Sequence, residues 1–258
     1  MHFGAVAALQ NFQTTLQPGA TLAIVGGSGS GKTTLGRALL RLDGRASVRA
    51  TRLQVCGVDV LAAKPLELQA LRGGRVGYCF QDALATLNPL QRVGDALRET
   101  QNAHGASQPL EMLLKQVELT DTKRILAAYP HQLSGGQRQR VGLAVAVAAD
   151  PDLLIADEPT ASLDPPLARS IARLLAQMAQ TERPNRPRRA LLLITHDLWL
   201  VQAVCETTIV LQHGMVVETG PTQRLIAQPQ HAMTKTLLTA VGLAHSPIAL
   251  EDEWVEPQ

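Results

Sequence analysis

The sequence has few cysteines, no long apolar run and almost no excess charge, and each shortage excludes a class of protein. Its three cysteines, Cys56, Cys79 and Cys205, are odd in number and widely spaced, which predicts reduced, apolar core residues rather than disulfides or a metal site. The longest apolar stretch, Val141–Ala149, is far shorter than the roughly 20 residues that cross a bilayer, so no membrane span is expected. The start, Met1–Leu9, lacks the basic and apolar segments of a secretory signal, so export is not expected.

The balance of charge does not select a partner. A formal net charge of +2, from 24 Lys and Arg against 22 Asp and Glu, is too small to require nucleic acid, and no nucleic acid is expected among the partners. One segment, Thr181–Arg189, is rich in proline and arginine. It is either a contact for an anionic partner or a solvated surface loop, and the loop is the preferred interpretation.

Short apolar runs predict the core of the fold. Buried strands are expected at Thr21–Val25, Val76–Phe80, Leu153–Ala156 and Leu191–Thr195. Helical patterns separate most of them, the first from Lys32 to Leu42. Strands that alternate with helices and read as continuous apolar runs are typical of a largely parallel sheet with helices on both faces.

Two segments depart from this alternation. Between about residues 83 and 149 the strand signals stop, and apolar residues at helical spacing predict an inserted helical subdomain. Those residues are Leu110, Leu113, Leu114, Val117 and Leu119. Thr208–Glu218 predicts a hairpin that turns at His213-Gly214. After about Ala240 the pattern fades, which predicts one domain over residues 1–240 and a short acidic tail over 241–258.

A glycine-rich loop joins the first predicted strand to the first helix. Gly26-Gly-Ser-Gly-Ser-Gly-Lys-Thr33 satisfies the G-x-x-x-x-G-K-[ST] pattern in the strand–loop–helix context that gives the pattern its meaning. Its glycines let successive N–H groups and the helix start face one anion. Lys32 would reach the β- and γ-phosphates, and the Thr33 hydroxyl would ligate Mg²⁺. The predicted ligands are ATP and Mg²⁺, and an ordinary glycine turn is the alternative.

A second element, Leu153–Glu158, is an apolar strand that ends in two adjacent acids. Asp157 would hold Mg²⁺, directly or through water, and Glu158 would polarise the attacking water as general base. The alternative is a pair of solvated loop acids.

A third element, Leu133-Ser-Gly-Gly-Gln137, is the signature of ATP-binding cassette proteins, and the chain resembles that family from about Phe3 to Ala240. The resemblance implies an α/β fold with a P-loop NTPase core, a largely parallel sheet, N-terminal antiparallel β elements and an inserted α-helical subdomain. It also implies that Ser134 and the glycine amides contact the γ-phosphate bound to an opposite subunit. One chain then supplies only half of each site.

Further positions match the family one by one. Gln81 resembles the lid glutamine, which would also serve the metal, and Ser162-Leu-Asp164 resembles the dimer-contact loop. His196 resembles the switch histidine, which would hold the γ-phosphate and orient Glu158. The simpler alternatives are a polar residue at a strand end for Gln81 and the N-cap of the helix that opens at Pro165 for Asp164.

Phe3 lies where the family places the aromatic ring that stacks on adenine, with a plain core phenylalanine as the alternative. Most relatives have a further strand before this aromatic, and this sequence has none. The resemblance makes Glu158 and His196 the expected catalytic pair and gives the metal Thr33, Gln81 and Asp157. The expected nucleotide contacts are Phe3, Gly26, Gly27, Ser28, Gly29, Ser30, Gly31, Lys32, Thr33, Thr34, Gln81, Ser134, Gly135, Gly136, Gln137 and Asp164.

Less general residues indicate a subfamily. Phe80–Pro89, Tyr129–Val141 and Pro229–Leu238 resemble stretches of the ATPases that serve peptide and nickel importers, and the short tail resembles the second ATPase of such a pair. Pro165–Ala168 departs from the usual run of that subfamily. No cysteine follows Cys205, so the iron–sulfur cluster that some members carry is not expected.

The resemblance implies an importer ATPase on the cytoplasmic face of the cytoplasmic (inner) membrane. It would form a head-to-tail dimer with a second, homologous ATPase subunit, commonly a different one, and drive two transmembrane permease subunits fed by an extracytoplasmic substrate-binding protein. Peptide, nickel and metal chelates all remain open as cargo. One alternative is a soluble cassette ATPase of a cytosolic enzyme complex, such as one that degrades phosphonates. The other is a cassette protein acting on nucleic acid or ribosomes, although the tandem cassettes or long coiled-coil insertion of that class are missing here.

Overall fold

A computed structural model of the chain describes residues 2–3, 6–7, 9–43, 48–81, 87–161 and 163–242. Two small antiparallel pairs lie outside the main sheet. The first joins β1 (His2–Phe3) to β2 (Val6–Ala7), and the second joins β4 (Gln54–Val55) to β5 (Val58–Asp59). The predicted N-terminal antiparallel elements are therefore present.

The main sheet has six strands in the order β10-β9-β3-β8-β7-β6. They are β3 (Thr21–Gly26), β6 (Val76–Cys79), β7 (Leu153–Asp157), β8 (Ala190–Thr195), β9 (Thr207–Gln212) and β10 (Met215–Pro221). Five are parallel to one another, and only β10 runs antiparallel, beside β9. The four strands predicted from apolar runs are confirmed, together with the largely parallel sheet.

Helices cover the sheet and fill the segment between β6 and β7. They are α1 (Lys32–Ala38), α2 (Pro65–Leu71), α3 (Val93–His104), α4 (Leu110–Gln116), α5 (Thr122–Ala127), α6 (Gly135–Val147), α7 (Pro165–Gln180), α8 (Leu198–Val204), α9 (Thr222–Ala227) and α10 (Ala232–Ala240). Within residues 87–152 the chain forms α3 to α6 and a short 3₁₀ turn, and no strand. The limits of the predicted subdomain stay a prediction, and most of the predicted tail, 243–258, lies outside the described residues.

The sheet separates two hydrophobic cores, because successive strand residues point to opposite faces. In β3, Ala23 and Val25 join the larger core, which helices α3 to α10 cover. Leu22 and Ile24 join the smaller core with residues of α1, α2 and the β4–β5 pair. Burial on both faces explains why these strands are continuous apolar runs in the sequence.

The first helix is shorter than predicted. It ends at Ala38, where the Leu42 N–H turns back to donate to the Arg37 carbonyl at 3.0 Å. Arg41 there has a left-handed backbone, with φ of 48°. Leu40 is 2% exposed and packs in the smaller core, so the apolar pattern continues beyond the helix that it seemed to define.

The hairpin of β9 and β10 turns at His213-Gly214, as predicted. Both residues have positive φ, 50° and 76°, as a two-residue turn of the type favoured in hairpins requires. The turn also contacts the glycine-rich loop, because the Gly214 N–H donates to the Ser30 carbonyl at 3.2 Å.

The arginine-rich segment Thr181–Arg189 is not simply a solvated loop, so the preferred interpretation is wrong for its buried members. Arg183 and Arg189 are 8% and 9% exposed. Together with Arg186 they bind the carboxylate of Asp150, each with one contact of 3.0 Å. The segment is thus tied to the start of β7 by ion pairs within the chain.

The structure can be compared with the predictions that the cysteines are buried core residues and that no segment spans a membrane. Cys79 and Cys205 are buried, as predicted, whereas Cys56 is only half-buried. None of the helices in the described ranges is long and apolar enough to cross a membrane.

Candidate active site

Three neighbouring strands carry predicted site residues where they end. β3 leads into the glycine-rich loop, β7 ends at Asp157, and β8 ends one residue before His196. β8 pairs with β3 on one side and β7 on the other, with Thr195 opposite Val25. Parallel strands place their carboxyl ends at one edge, where open α/β sheets bind ligands. The tertiary structure therefore brings these residues together.

The loop that follows β3 needs glycine for close packing and for a left-handed turn. A Cβ at Gly26 would lie 2.2 Å from the Leu211 carbonyl oxygen of β9, which no other residue could accommodate without movement. Gly31 precedes α1 with φ of 98°, in the left-handed region that favours glycine. These positions hold the loop tight against the sheet.

Lys32 and Ser30 show what the loop can bind. The Lys32 ammonium folds back and donates to the carbonyls of Gly26 and Gly27 at 2.8 and 2.9 Å. Burial lowers the pKa of Lys32, and the charges of Glu158 and Asp157 partly oppose that shift. Ser30 Oγ is buried without a hydrogen-bond partner among the described residues. An anion in the loop would supply acceptors for both side chains, so the loop fits a phosphate group.

Thr33 and Asp157 form the oxygen pair predicted for Mg²⁺. The Thr33 hydroxyl donates to Asp157 Oδ1 at 3.1 Å, and Asp157 is 2% exposed. Burial raises the pKa of Asp157, while hydrogen bonds from Tyr78 and Thr33 oppose the rise. Carboxylate and hydroxyl oxygens suit Mg²⁺, which usually takes one or two protein ligands together with substrate phosphates. The residues present therefore fit the ion.

Glu158 and His196 are in direct contact. The His196 Nδ1 lies 2.9 and 3.0 Å from the two carboxylate oxygens of Glu158. Because an ionised carboxylate only accepts hydrogen bonds, this contact is a hydrogen bond when Nδ1 carries a proton. Thr195 donates its hydroxyl to Glu158 Oε2 at 3.1 Å. Glu158 also has φ of 49°, an unfavourable backbone conformation for a residue with a Cβ, of the kind that clusters at active sites.

The signature segment begins helix α6 with reciprocal caps. The Gln137 N–H donates to Ser134 Oγ at 3.3 Å, and Gln137 Oε1 accepts from the Ser134 N–H at 3.1 Å. Ser134 and Gly135 are exposed. A Cβ at Gly136 would lie 2.8 Å from the Leu167 side chain of α7, so the two helix starts pack closely.

Asp164 caps α7. Its Oδ1 accepts from the Leu167 N–H at 2.9 Å, and the helix opens with Pro165. The N-cap role proposed as the simpler alternative is confirmed, and the carboxylate is exposed enough for a second contact. Ser162 of the same predicted contact loop lies outside the described residues.

A cavity of about 750 Å³ lies beside these two helix starts. Its lining includes Ser134, Gly136, Asp164 and Arg140, but no residue of Gly26–Thr33. Among the described residues, the signature segment therefore lines a cavity to which the glycine-rich loop does not contribute.

For the remaining predicted site residues, the structure gives only their location and exposure. Gln81 is exposed and lies two residues beyond β6, at the same edge of the sheet. Phe3 belongs to β1, but its side chain is outside what the structure describes, so its stacking on adenine stays a prediction. Ser28 and Gly29 are exposed at the loop tip, and Thr34 is half-buried in α1.

Two hydroxyl groups of the site were missed by sequence reasoning. Thr195 and Tyr78 both bind its carboxylates, Tyr78 through a 2.9 Å hydrogen bond to Asp157 Oδ2. Both lie in apolar runs, which predict buried strands but assign no function to the residues within them. Their hydroxyl groups could have indicated a role, because a buried polar group needs a hydrogen-bond partner.

Comparisons with known sequences agree with this geometry. The sequence profile of the family described as ABC transporter matches residues 9–161. The oligopeptide transport ATP-binding protein OppD of Lactococcus lactis subsp. cremoris is 36% identical over 238 residues, which cover 90% of this chain and 69% of that protein. A Brucella melitensis protein, provisionally named a peptide import ATP-binding protein, is 38% identical over 245 residues, covering 92% and 72%.

Solved structures give the same result. The dimeric, post-hydrolysis structure of the ATP-binding cassette MJ0796 with ADP and Pi matches with a TM-score of 0.71 and 27% identity, over 84% of this chain and 91% of that one. The structure of cbiO1 from Clostridium perfringens, part of the ABC transporter complex cbiONQ, matches with a TM-score of 0.71 and 25% identity, over 92% and 88%. The chain therefore belongs to the ABC transporter family, as one of its ATP-binding, ATP-hydrolysing chains.

Proposed function

We propose that this chain is the ATPase subunit of a peptide importer, and that the predicted site residues have the roles given to them by their positions. The observation that carries the hydrolytic role is the contact of His196 with both oxygens of Glu158, one residue beyond Asp157. A carboxylate held by a histidine beside a buried metal-ligating acid is suited to activate water.

The side chains divide the chemistry among them. Lys32 would exchange its two carbonyl acceptors for phosphate oxygens, and the loop N–H groups would hold the same charge. Mg²⁺ on Thr33 and Asp157 would neutralise charge on the phosphates. Glu158 would accept the proton of the attacking water, and the His196 N–H and the Thr195 hydroxyl would keep its carboxylate in one orientation.

A second ATPase subunit would complete each site. The exposed Ser134 and Gly135 at the start of α6 present a helix N-terminus that lines a cavity to which this chain's own Gly26–Thr33 loop does not contribute. The similar cassette MJ0796 is a dimer in its solved structure. A head-to-tail arrangement would place Ser134 of one subunit over the nucleotide of the other, so that ATP binding and dimer closure share their contacts. The resemblance to the second ATPase of a pair stays a prediction.

The printed names of the relatives support peptide as the cargo. Both sequence relatives are named for peptide import or transport, and nothing in those names supports nickel or metal chelates. They also disfavour the soluble enzyme-complex alternative. The subunit would then lie on the cytoplasmic face of the cytoplasmic membrane against two permease subunits, which receive peptide from an extracytoplasmic binding protein.

The Glu158→Gln variant tests the catalytic role. It keeps the size of the side chain and removes the general base, so we expect ATP binding to persist while turnover falls by about 100-fold or more. With turnover stopped, MgATP should accumulate a closed dimer, measured by light scattering. The exposed Glu111 on α4 supplies the matched control, because Glu111→Gln should leave both measurements unchanged. Ordinary ATP turnover in Glu158→Gln would contradict the role.

Affinity isolation from native membranes tests the transport role. The chain should recover permease subunits in stoichiometric amounts, and a labelled peptide should be imported only when they are present. Recovery of a soluble enzyme complex without permeases would refute the importer and favour the alternative.

A further inference from the structure

Tyr78 is bound to the predicted metal site, although no motif of the sequence assigns it a role. It lies in β6, beside β7, and its hydroxyl donates to Asp157 Oδ2 at 2.9 Å. The other carboxylate oxygen, Oδ1, accepts from the Thr33 hydroxyl at 3.1 Å. Each oxygen of this buried carboxylate therefore has one hydroxyl donor, one from β6 and one from the start of α1, and both donors precede Asp157 in the sequence.

The Tyr78 hydroxyl has little freedom to move. A Cβ at Gly36 of α1 would lie 2.8 Å from this oxygen and 2.7 Å from Ile194 Cδ1, so α1 packs directly over it and leaves room only for glycine. The ring lies 4.3 Å from that of Phe80, measured between centroids. Packing on several sides thus fixes the donor in place before any ligand binds.

We propose that Tyr78 is a positioning residue of the Mg²⁺ site, which holds Asp157 by Oδ2 so that Oδ1 stays on the Thr33 side, toward the metal. The inference rests on the ATP site of the proposed function. A carboxylate with a single donor can rotate about its terminal bond, whereas a donor on each oxygen fixes its plane. Partners that orient metal ligands in this way commonly change metal affinity by about 10–100-fold when they are removed.

The Tyr78→Phe variant of the full chain tests this role, because it removes one oxygen and keeps the ring. The measurement is the binding of a fluorescent ATP analogue, first in EDTA and then with rising Mg²⁺. We expect the Mg²⁺ concentration at half-saturation to rise by about tenfold, while metal-free nucleotide affinity is unchanged. The electron paramagnetic resonance signal of free Mn²⁺ in the presence of ADP should show the same loss of metal affinity without any turnover.

Tyr129→Phe is the matched control, since Tyr129 is the other of the chain's two tyrosines and lies before the signature segment, next to Arg92. Its metal dependence should equal that of the wild type. Metal-free nucleotide binding measures the fraction of each sample that is folded. The Mg²⁺ dependence of a poorly folding variant can therefore be compared with that of the wild type per folded molecule.

Three results would overturn the inference. An unchanged Mg²⁺ half-saturation in Tyr78→Phe would show that the hydrogen bond does not serve the metal. An equal loss of metal-free and Mg²⁺-dependent binding would show that Tyr78 supports the fold alone. Absence of any Mg²⁺-dependent nucleotide binding in the wild type would remove the ATP site itself, and it is distinguished from the other two because no variant is involved.

Discussion

Tight packing and backbone hydrogen bonds fix the positions of single residues in the site. Gly36 illustrates this, because the atoms of Tyr78 and Ile194 occupy the space where its side chain would be. Glu158 illustrates the complementary case. Its N–H donates to the Ile194 carbonyl at 2.7 Å, which holds the residue in a left-handed conformation despite the steric cost. Packing and backbone bonds at this scale define where the reactive atoms lie.

The Gly36→Ala variant should displace the Tyr78 hydroxyl while the tyrosine itself is not substituted. We expect overpacking to lower the free energy of unfolding by about 1–3 kcal/mol, and the Mg²⁺ requirement for nucleotide binding to rise as in Tyr78→Phe. Chemical denaturation and the fluorescent-nucleotide titration measure the two effects. Gly220→Ala in β10 is the control, because a Cβ there meets nothing within 4 Å and should leave both quantities nearly unchanged. A Gly36→Ala protein as stable as the wild type would show that the contact relaxes freely.

Two helix starts carry the residues that we propose contact a second subunit. Ser134 opens α6 and Asp164 opens α7, and each uses its side chain to satisfy a backbone N–H of its own helix. Arg140 ties the two helices to the α4–α5 connection, since it donates to the Glu118 carbonyl at 2.9 Å and to the Ser170 hydroxyl of α7. The starts of α6 and α7, which carry the two cap residues, are therefore fixed relative to each other by contacts within the chain.

Substitutions of Asp164 separate its cap role from its predicted dimer contact. Asp164→Ala should lower the free energy of unfolding by about 1 kcal/mol, whereas Asp164→Asn should keep stability because asparagine caps equally well. If the charge also contacts a second subunit, both variants should weaken ATP-dependent dimer closure in the Glu158→Gln background. Thermal melting and light scattering give the two readings. An Asn variant as unstable as the Ala variant would argue against capping as the main structural role.

At the scale of the whole molecule, the central sheet connects the proposed nucleotide site to both hydrophobic cores. Both hydrophobic cores pack on this one sheet, and its carboxyl edge holds the phosphate loop, Asp157 and Glu158. A ligand at that edge contacts the ends of β3 and β7 and the start of α1 together. Binding should therefore oppose unfolding of the chain as a unit.

MgATP at about 100 times its dissociation constant should add about 2.7 kcal/mol and raise Tm by about 5–10 °C. Lys32→Ala should lose most of that increase, because we propose that its buried ammonium binds the phosphates. Lys115→Ala, a substitution of an exposed lysine on α4, should retain it. Differential scanning fluorimetry with and without nucleotide measures the shift. A full nucleotide shift in Lys32→Ala would remove Lys32 from the phosphate site.

The apolar pattern of the sequence predicted some elements of the fold correctly and others not. The strands β3, β6, β7 and β8 were predictable because burial on both faces leaves an unbroken apolar run. The end of α1 was not, since Leu40 continues the apolar spacing while the chain has already turned. The arginines of Thr181–Arg189 suggested solvent or a partner, but their carboxylate partner, Asp150, lies before β7 and only folding brings it near.

The sequence by itself determined the chemistry of this protein, because the phosphate loop, the strand that ends in Asp157 and Glu158, and the signature are contiguous segments whose spacing has physical meaning. Only the tertiary structure decided which hydroxyls hold the acids. Tyr78 lies 79 positions before Asp157, and Thr33 lies 124 positions before it. Such contacts depend on strand order and on the packing of α1 against the sheet, which local periodicity does not encode. The structure therefore adds Tyr78 and Thr195 to a site whose phosphate loop and acids were predicted from the sequence.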